Sequence, residues 1–337
     1  MKILITGGAG FIGANFVHYW RKNHPEDSIT VLDKLTYAGN IESLAQVKDQ
    51  IEFIEGDVTD PEVVHRAMSG AGCVVHFAAE SHVDRSIADP YVFTRSNVLG
   101  THVLLEMARA LKIPRFHHIS TDEVFGSIPL EQNYKFNEQS PYEPNSPYAA
   151  SKASSDHLVR SYGETYGIPF TISNCSNNFG PFQHTEKFIP RSIVRLLNGE
   201  NIRLYTPGNQ IRDWLFVEDH CRAIDAILQK GKIGETYCIG GMTDEISNTK
   251  VAKLILSHLD LPESRLEMVT DRPGHDVKYA VDWSKINREL GWEPQADFKT
   301  WLATTIDWYQ ANKNWWQKQA EESEQFYEKK GEQIIEN

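Results

Sequence analysis

The chain has 337 residues, 40% of them hydrophobic and 24% charged, which excludes a disordered or fibrous class and suits one large globular domain or two coupled ones. With 34 basic and 46 acidic residues the formal charge is −12, which argues against broad nucleic-acid or membrane-surface binding but permits a local basic pocket. Cys73, Cys175, Cys221 and Cys238 have no Cys-x-x-Cys spacing, so no metal or redox site is expected. A first strand starting at Lys2, with no leader-like or membrane-length apolar run, points to a cytoplasmic protein with reduced thiols.

The apolar run Lys2 to Thr6 reads as a strand, and Ala14 to Lys22 has helical spacing. Between them, glycines at 7, 8, 10 and 13 form the tight turn that lets backbone approach a pyrophosphate at a helix N-terminus. Glycines also serve plain turns. Here a second strand, Ser28 to Leu32, ends at Asp33, 20 residues past Gly13, where a dinucleotide site needs a carboxylate for ribose hydroxyls. The expected cofactor wall is therefore Gly7, Gly10, Phe11, Ile12, Gly13 and Asp33. Asp33 disfavours a 2′-phosphate and so favours NAD, and Lys34 beside it softens that preference.

Strands at Ile51 to Ile54 and Cys73 to Phe77 flank a helix from Pro61 to Ser69, the alternation of a doubly wound parallel sheet. The strand ends place Asp57 and Val58 near the adenine, with a helix-capping role for Asp57 as the plain alternative. Ala78, Ala79 and Ser81 fall near the middle of the cofactor, and His76 reads as a core histidine. A long helix spans Pro90 to Leu111.

The strand Arg115 to Ile119 leads into Ser120, Thr121, Asp122 and Glu123, and a polar connection of 126–147 leads to Tyr148 and Lys152. The last two stand at i and i+4 on one helix face, where an ammonium favours a phenolate. Asp122 and Glu123 are consecutive and project differently, so one can be an acid while the other is a base. The last strand of this half, Phe170 to Asn174, places Asn174 at the cofactor.

Beyond it the elements shorten and mix. The expectation is an NAD-binding Rossmann-like domain over 1–175 with returning segments near 211–240, including Trp214 to Val217 in the large sheet. A smaller mixed α/β substrate-binding domain covers 176–318, ending in a Trp-rich helix. The tail 319–337, with six glutamates against two lysines, reads as solvated and without a chemical role.

The glycine turn, Tyr148-x-x-x-Lys152 and the long C-terminal half resemble the extended short-chain dehydrogenase/reductase family. Thr121-Asp122-Glu123, Ala78 to Ser86, Ser176 to Pro181, Glu186 to Pro190, Arg212-Asp213-Trp214 and Asp271 to Asp276 are similar to those members that dehydrate dTDP-glucose. The resemblance implies a transient oxidation at sugar C4 by tightly bound NAD. Tyr148 is then the base on the 4-hydroxyl, assisted by Lys152 and Thr121, Glu123 the base at C5, and Asp122 the acid at the 6-hydroxyl. It further implies a diphosphate clamp of Arg212, Asn177, Lys187 and Arg272, sugar or nucleotide contacts from Ser81, Thr121 and Asn248, no metal, and a homodimer joined through the helices from Pro90 and Tyr148. Surface ion pairs are the plain alternative for Lys187 and Arg272. A 4-epimerase, a decarboxylase or a dehydratase of another nucleotide sugar would use the same Tyr148 and Lys152. A non-catalytic NAD-binding scaffold would not need the acid and base beside them.

Overall fold

The computed structural model describes residues 1–241, 246–271 and 276–336, with side chains through Tyr327. The first half runs β1 (Lys2–Thr6), α1 (Phe11–Asn23), β2 (Ser28–Asp33), β3 (Glu52–Glu55), α2 (Pro61–Met68), β4 (Cys73–His76), α3 (Val83–Ala88), α4 (Pro90–Phe93), α5 (Gly100–Ala110), β5 (Phe116–Thr121), α6 (Pro147–Tyr166) and β6 (Phe170–Cys175). The second half runs β7 (Asn177–Phe179), α7 (Phe188–Leu197), β8 (Ile202–Tyr205), β9 (Ile211–Arg212), β10 (Trp214–Phe216), α8 (Val217–Lys230), β11 (Thr236–Ile239), β12 (Ile246–Ser247), α9 (Asn248–His258), β13 (Leu266–Val269), α10 (Ser284–Leu290), α11 (Phe298–Ala311) and α12 (Lys313–Glu336).

Seven strands make one parallel sheet in the order β11-β6-β5-β4-β1-β2-β3. Both faces are covered, as a parallel sheet requires. In β1 the period-2 alternation sends Ile3 and Ile5 to the side of α1 and α8, where they meet Phe16, Trp20 and Ile224. Leu4 points to the side of α2, α5 and α6, against Val64, Leu105 and Val159. Burying each such side chain contributes roughly 1.5–3 kcal/mol.

The expected helix from Pro90 to Leu111 is helical throughout, with a π-helical turn at Thr94–Leu99 linking α4 to α5. That turn buries Asn97, whose side chain bonds Glu80 N at 2.8 Å and Ser151 Oγ at 2.8 Å. His76 is a satisfied core histidine, held by Thr6 Oγ1 at 2.8 Å and Thr101 Oγ1 at 3.0 Å.

Two expectations are corrected. Trp214–Phe216 does not join the large sheet. It pairs in parallel with β7, because Phe179, Trp214 and Phe216 bury together against Phe298 and not against β6. Of this returning stretch, β11 alone extends the sheet. The tail is not wholly solvated either: over its described part α12 buries Ala320 and Ser323, just after the buried Trp316, and Glu324 pairs with Arg191 and Arg195. Trp316, Ala320, Ser323 and Tyr327 repeat at helical spacing, so one face docks with Glu324 beside it, while Glu321 and Glu322 are exposed.

Candidate active site

The carboxyl ends of the large sheet carry a long cleft. Its floor is the glycine turn. Gly7 has a φ of +70°, and a Cβ there would meet Ala78 N at 2.6 Å; one on Gly13 would meet Gly7 O at 2.2 Å. Only hydrogen fits, so the chain approaches itself closely and the α1 N-terminus opens onto the cleft. That terminus is capped by Gly10 without a side-chain hydrogen bond, which leaves its N–H groups for an anion. At the end of β2, Asp33 accepts from Ala9 N at 2.9 Å and Leu35 N at 2.8 Å, while burial raises its pKa. Val58, Ala78, Ala79 and Ser81 continue the wall to Tyr148 and Lys152, so the residues fit an extended dinucleotide.

Asp57 also lines the cleft. Its Oδ2 lies 2.9 Å from Lys34 Nζ and 3.1 Å from Arg95 Nη2, and its Oδ1 accepts from Thr59 N. Burial works against its charge, yet the bonds from Thr59 and Lys34 hold its carboxyl below the usual range. Lys34 is therefore a partner of Asp57, which weakens its expected pull on a 2′-phosphate. Asn174 lies beneath the cleft and not on its wall. It is fully buried in β6, where its amide donates to Thr121 O at 3.1 Å and Asp156 Oδ2 at 3.3 Å. Cys175 and Ser176, the next two residues, form the wall there.

The reactive groups are delivered by two local devices. After β5 the chain tightens into a 3₁₀ turn over Asp122–Phe125, capped by Thr121 Oγ1 accepting from Glu123 N at 3.2 Å. The turn sends Asp122 inward, fully buried, and leaves Glu123 half-buried on the cleft. Helix α6 starts with Ser146 accepting from Ala149 N at 3.1 Å and Pro147 in its first turn, which sets Tyr148 at the cleft. One turn on, Lys152 is buried and donates to Ile119 O at 2.7 Å.

Burial, then the Glu123 charge, pushes the Asp122 carboxyl well above its usual range, which favours its protonated form. Its Oδ2 has no partner, and its Oδ1 lies 3.3 Å from Thr121 Oγ1. The Tyr148 phenol is likewise raised by burial and by Glu123, with a hydrogen bond to Thr121 opposing the rise. This differs from the phenolate expected of a Tyr-Lys pair: burial outweighs the ammonium, and Lys152 itself loses basicity by desolvation.

Asp156 was not singled out in the sequence, although it lies four residues after Lys152. Fully buried, it accepts from Ser120 Oγ at 2.8 Å and Tyr142 OH at 2.8 Å and lies 3.2 Å from His118 Nε2.

A second cleft meets the first at Ser81, Glu123, Asn177 and Lys187. Arg191, Arg195, Arg212 and Asn248 line it, together with the carboxylates of Asp84, Glu186 and Asp271. Arg212 is buried, donates to Ile211 O at 2.8 Å and Asp276 O at 2.9 Å, and lies 4.7 Å from the Tyr279 ring centroid. Lys187 donates to Ser81 O at 2.8 Å. Asn177 and Asn248 each keep a buried side-chain oxygen without a partner. Arg272, with His275, lies outside the described residues.

A parallel sheet with a glycine turn, a β2-terminal carboxylate and a Tyr-Lys pair over one cleft defines an extended short-chain dehydrogenase/reductase. A family model described as GDP-mannose 4,6 dehydratase matches residues 4–305. The dTDP-glucose 4,6-dehydratase of Mycobacterium tuberculosis is 48% identical over 332 residues, covering 98% of this chain and 100% of that protein. The crystal structure of DesIV, a dTDP-glucose 4,6-dehydratase from Streptomyces venezuelae with NAD and TYD bound, superposes with a TM-score of 0.91 at 46% identity, covering 95% of this chain and 100% of that one. The dTDP-glucose 4,6-dehydratase of Bacillus anthracis in complex with NAD gives a TM-score of 0.88 at 40% identity, covering 95% and 99%. The chain belongs to the dTDP-glucose 4,6-dehydratase family.

Proposed function

We propose that this chain is a hydro-lyase that converts dTDP-glucose to dTDP-4-keto-6-deoxy-glucose with NAD in the first cleft. The observation that carries the reading is the contrast within Asp122-Glu123: a fully buried carboxyl whose pKa is raised by burial, next to one that lines both clefts where they meet. Two neighbouring carboxyls in unlike surroundings can divide acid from base work.

Bound in the first cleft, the nicotinamide supplies a reversible hydride acceptor, so that C4 becomes a ketone before C6 is deoxygenated, and brings a positive charge. Gly7, Gly10, Phe11, Ile12, Gly13, Asp33, Asp57, Val58, Ala78, Ala79 and Ser81 would hold it. Tyr148 takes the proton of the 4-hydroxyl, with Thr121 holding that hydroxyl and Lys152 offsetting the phenolate charge. The ketone acidifies C5–H, and Glu123 removes that proton. The C5–H electron pair forms a C5=C6 bond, the C6–O bond breaks, and Asp122 gives its proton to the departing oxygen as water. Glu123 then returns a proton to C5 as C6 takes back the hydride removed from C4.

Arg212, Asn177, Lys187, Asn248 and, by sequence, Arg272 would hold the nucleoside diphosphate, for which a guanidinium provides paired donors. Two copies would join through α4, α5 and α6. The exposed Tyr91 and Val92 of α4, Leu99 of the π-helical turn and Tyr166 of α6 support such a face. We place the enzyme in the cytoplasm: its cysteines are free and buried, and no described helix is long and apolar enough to cross a membrane.

Turnover of dTDP-glucose carrying deuterium at C4 tests the chemistry. The label is expected at C6 of a product bearing a 4-ketone. Recovery of the label at C4, or its loss to solvent, would overturn the reading.

A further inference from the structure

The acidic tail has no part in the chemistry above, yet it reaches the substrate cleft. Tyr327 lines that cleft together with Arg191, Arg195 and Arg212. Its hydroxyl lies 3.3 Å from His82 Nε2 and donates to Glu186 O at 3.2 Å, and the Arg191 guanidinium covers its ring at 3.5 Å from the centroid. His82 and Glu186 follow or precede Ser81 and Lys187, two residues at the junction of the clefts. Tyr327 therefore packs directly behind that junction.

What holds it there is an ion cluster. Glu324 accepts from Arg191 Nε at 2.8 Å and Arg191 Nη2 at 3.1 Å, a two-pronged pair, and also bonds Arg195 Nη1. These arginines come from one face of α7 at i and i+4, and a single carboxylate from α12 bridges them. Around the cluster, Ser323 Oγ meets Thr185 Oγ1 at 3.1 Å, and the Arg85 guanidinium lies 4.4 Å from the Phe326 ring centroid and 3.9 Å from that of Tyr37. Arg85 in turn donates to Glu186 Oε2 at 3.1 Å. Four tail residues, Ser323, Glu324, Phe326 and Tyr327, are thus engaged, each with a polar or charged group.

The cluster also sets the charge of the cleft. Arg191 and Arg195 are two cations facing any anion entering between α7 and β8, with Arg203 a third. Glu324 pairs with both of the first two, sharing Arg195 with Glu200, while Arg212, held by Ile211 O and Asp276 O, lines the same cleft with Glu123 and Asn177 and carries no bond to the tail among those described. Without the tail, Arg195 would keep Glu200 and Arg203 would keep Glu267, but Arg191 would lose the carboxylate it is paired with and could take an anion away from the carboxyl pair.

We propose that α12 is a wall of the nucleotide-sugar site: Tyr327 positions the Ser81–Lys187 junction, and Glu324 masks the outer arginines so that the diphosphate is read at Arg212. This inference rests on the function proposed above. Tyr327 and Glu324 are positioning residues; neither touches the reacting atoms.

The test uses the full-length chain with Tyr327→Ala, Tyr327→Phe and Glu324→Gln, measuring kcat and KM for dTDP-glucose, bound dinucleotide and direct dTDP binding. Tyr327→Ala is expected to raise KM roughly ten-fold, equivalent to about 1.4 kcal/mol of binding, with kcat within about two-fold and dinucleotide content unchanged. Tyr327→Phe keeps the ring and should raise KM by only about two- to three-fold. Glu324→Gln should make dTDP binding more salt-sensitive and inorganic phosphate a stronger inhibitor, because Arg191 is uncovered. The proposal is overturned if Tyr327→Ala, folded and carrying its dinucleotide, keeps wild-type KM and dTDP affinity. It is equally overturned if Glu324→Gln leaves phosphate inhibition unchanged. Should Tyr327→Ala fail to fold, the other two variants decide. Wild-type protein that binds dTDP but leaves dTDP-glucose unconverted would defeat the functional reading alone, while the binding measurements would still judge the wall.

Discussion

The two clefts that meet at Glu123 are built on different principles. The dinucleotide cleft lies along the ends of one continuous sheet and is shaped by backbone: glycines too crowded for a Cβ, an open helix N-terminus and a carboxylate tied to two N–H groups. The substrate cleft is assembled from two-stranded pairs, β10 with β7, β12 with β9 and β13 with β8, and is shaped by arginines, ion pairs and the tail. The first geometry is set by packing that tolerates little change. The second depends on charged side chains whose positions are tied to partners far away in sequence. A site that must move protons with precision but admit a long, flexible substrate gains from placing the chemistry on the sheet and the recognition on the assembled side.

The sharpest break in that comparison is at the seam. Glu123→Gln keeps the turn, its cap and the shape of both clefts, and removes only the base. Turnover should fall by roughly 10²–10⁴-fold, the range for loss of a general base, while dTDP binding stays near wild type. Exchange of the substrate C5 proton into deuterated water should disappear with it. A variant that still exchanges C5–H at the wild-type rate would move the base elsewhere.

The same division explains what the sequence makes visible. Gly7 to Gly13, Asp33, Tyr148 and Lys152 are legible because each belongs to one strand-turn-helix unit, where spacing alone brings the groups together. β10 is not legible. Three residues carry no period, and their partner β7 is chosen by Phe298 on a helix more than 80 residues away. Asn174 sits at a strand end, as cofactor-wall residues do, but strand pleating turns it under Thr121. The tail hides its docked face because Ala320 and Ser323 are small and polar enough to read as surface, and its glutamates dominate the composition. Asp156 could have been found: it continues the Tyr148-Lys152 face by one more turn.

Acid should separate the two halves by stability. The large sheet buries neutral histidines: burial, and then the Lys152 charge, holds His118 down to about 4, and burial alone holds His220 down to about 3. Above pH 6.5 both folded and unfolded chains keep these rings neutral, and stability is complete. As pH falls below 6.5 the unfolded chain takes up protons that the folded chain refuses, so stability is lost until pH reaches about 4 for His118. That loss is on the order of 3 kcal/mol for His118 alone. Glu324 behaves later. Burial works against its charge, but the Arg191 bond keeps its pKa low, so its contribution is present above its unfolded pKa and is lost only as pH falls further. Denaturant midpoints should therefore drop steadily between pH 6.5 and 4; a flat profile there would mean that these histidines are reached by solvent in the native state.

The smallest effect tests whether the rigid side tunes the chemistry as well as holding it. Asp156 is a buried carboxylate, kept below its usual pKa against its own desolvation by His118, Lys152 and Ser120. Facing it are His118 and Ser120 from β5, Lys152 from α6, Asn174 from β6, and Tyr142 from the loop before α6, with Arg160 hydrogen-bonded to Tyr142. Asp156→Asn can keep the bonds to Ser120 and Tyr142 through its oxygen, but it removes the anion that opposes the desolvation of Lys152. The Lys152 ammonium then deprotonates at lower pH, and with it goes the cation that offsets the Tyr148 phenolate. We expect kcat to fall about ten-fold, KM to hold, and the alkaline limb of the kcat profile to move toward neutrality. A purely structural role would lower kcat equally at every pH, and Asp156→Glu, which restores the charge, would then fail to return the limb to its original position.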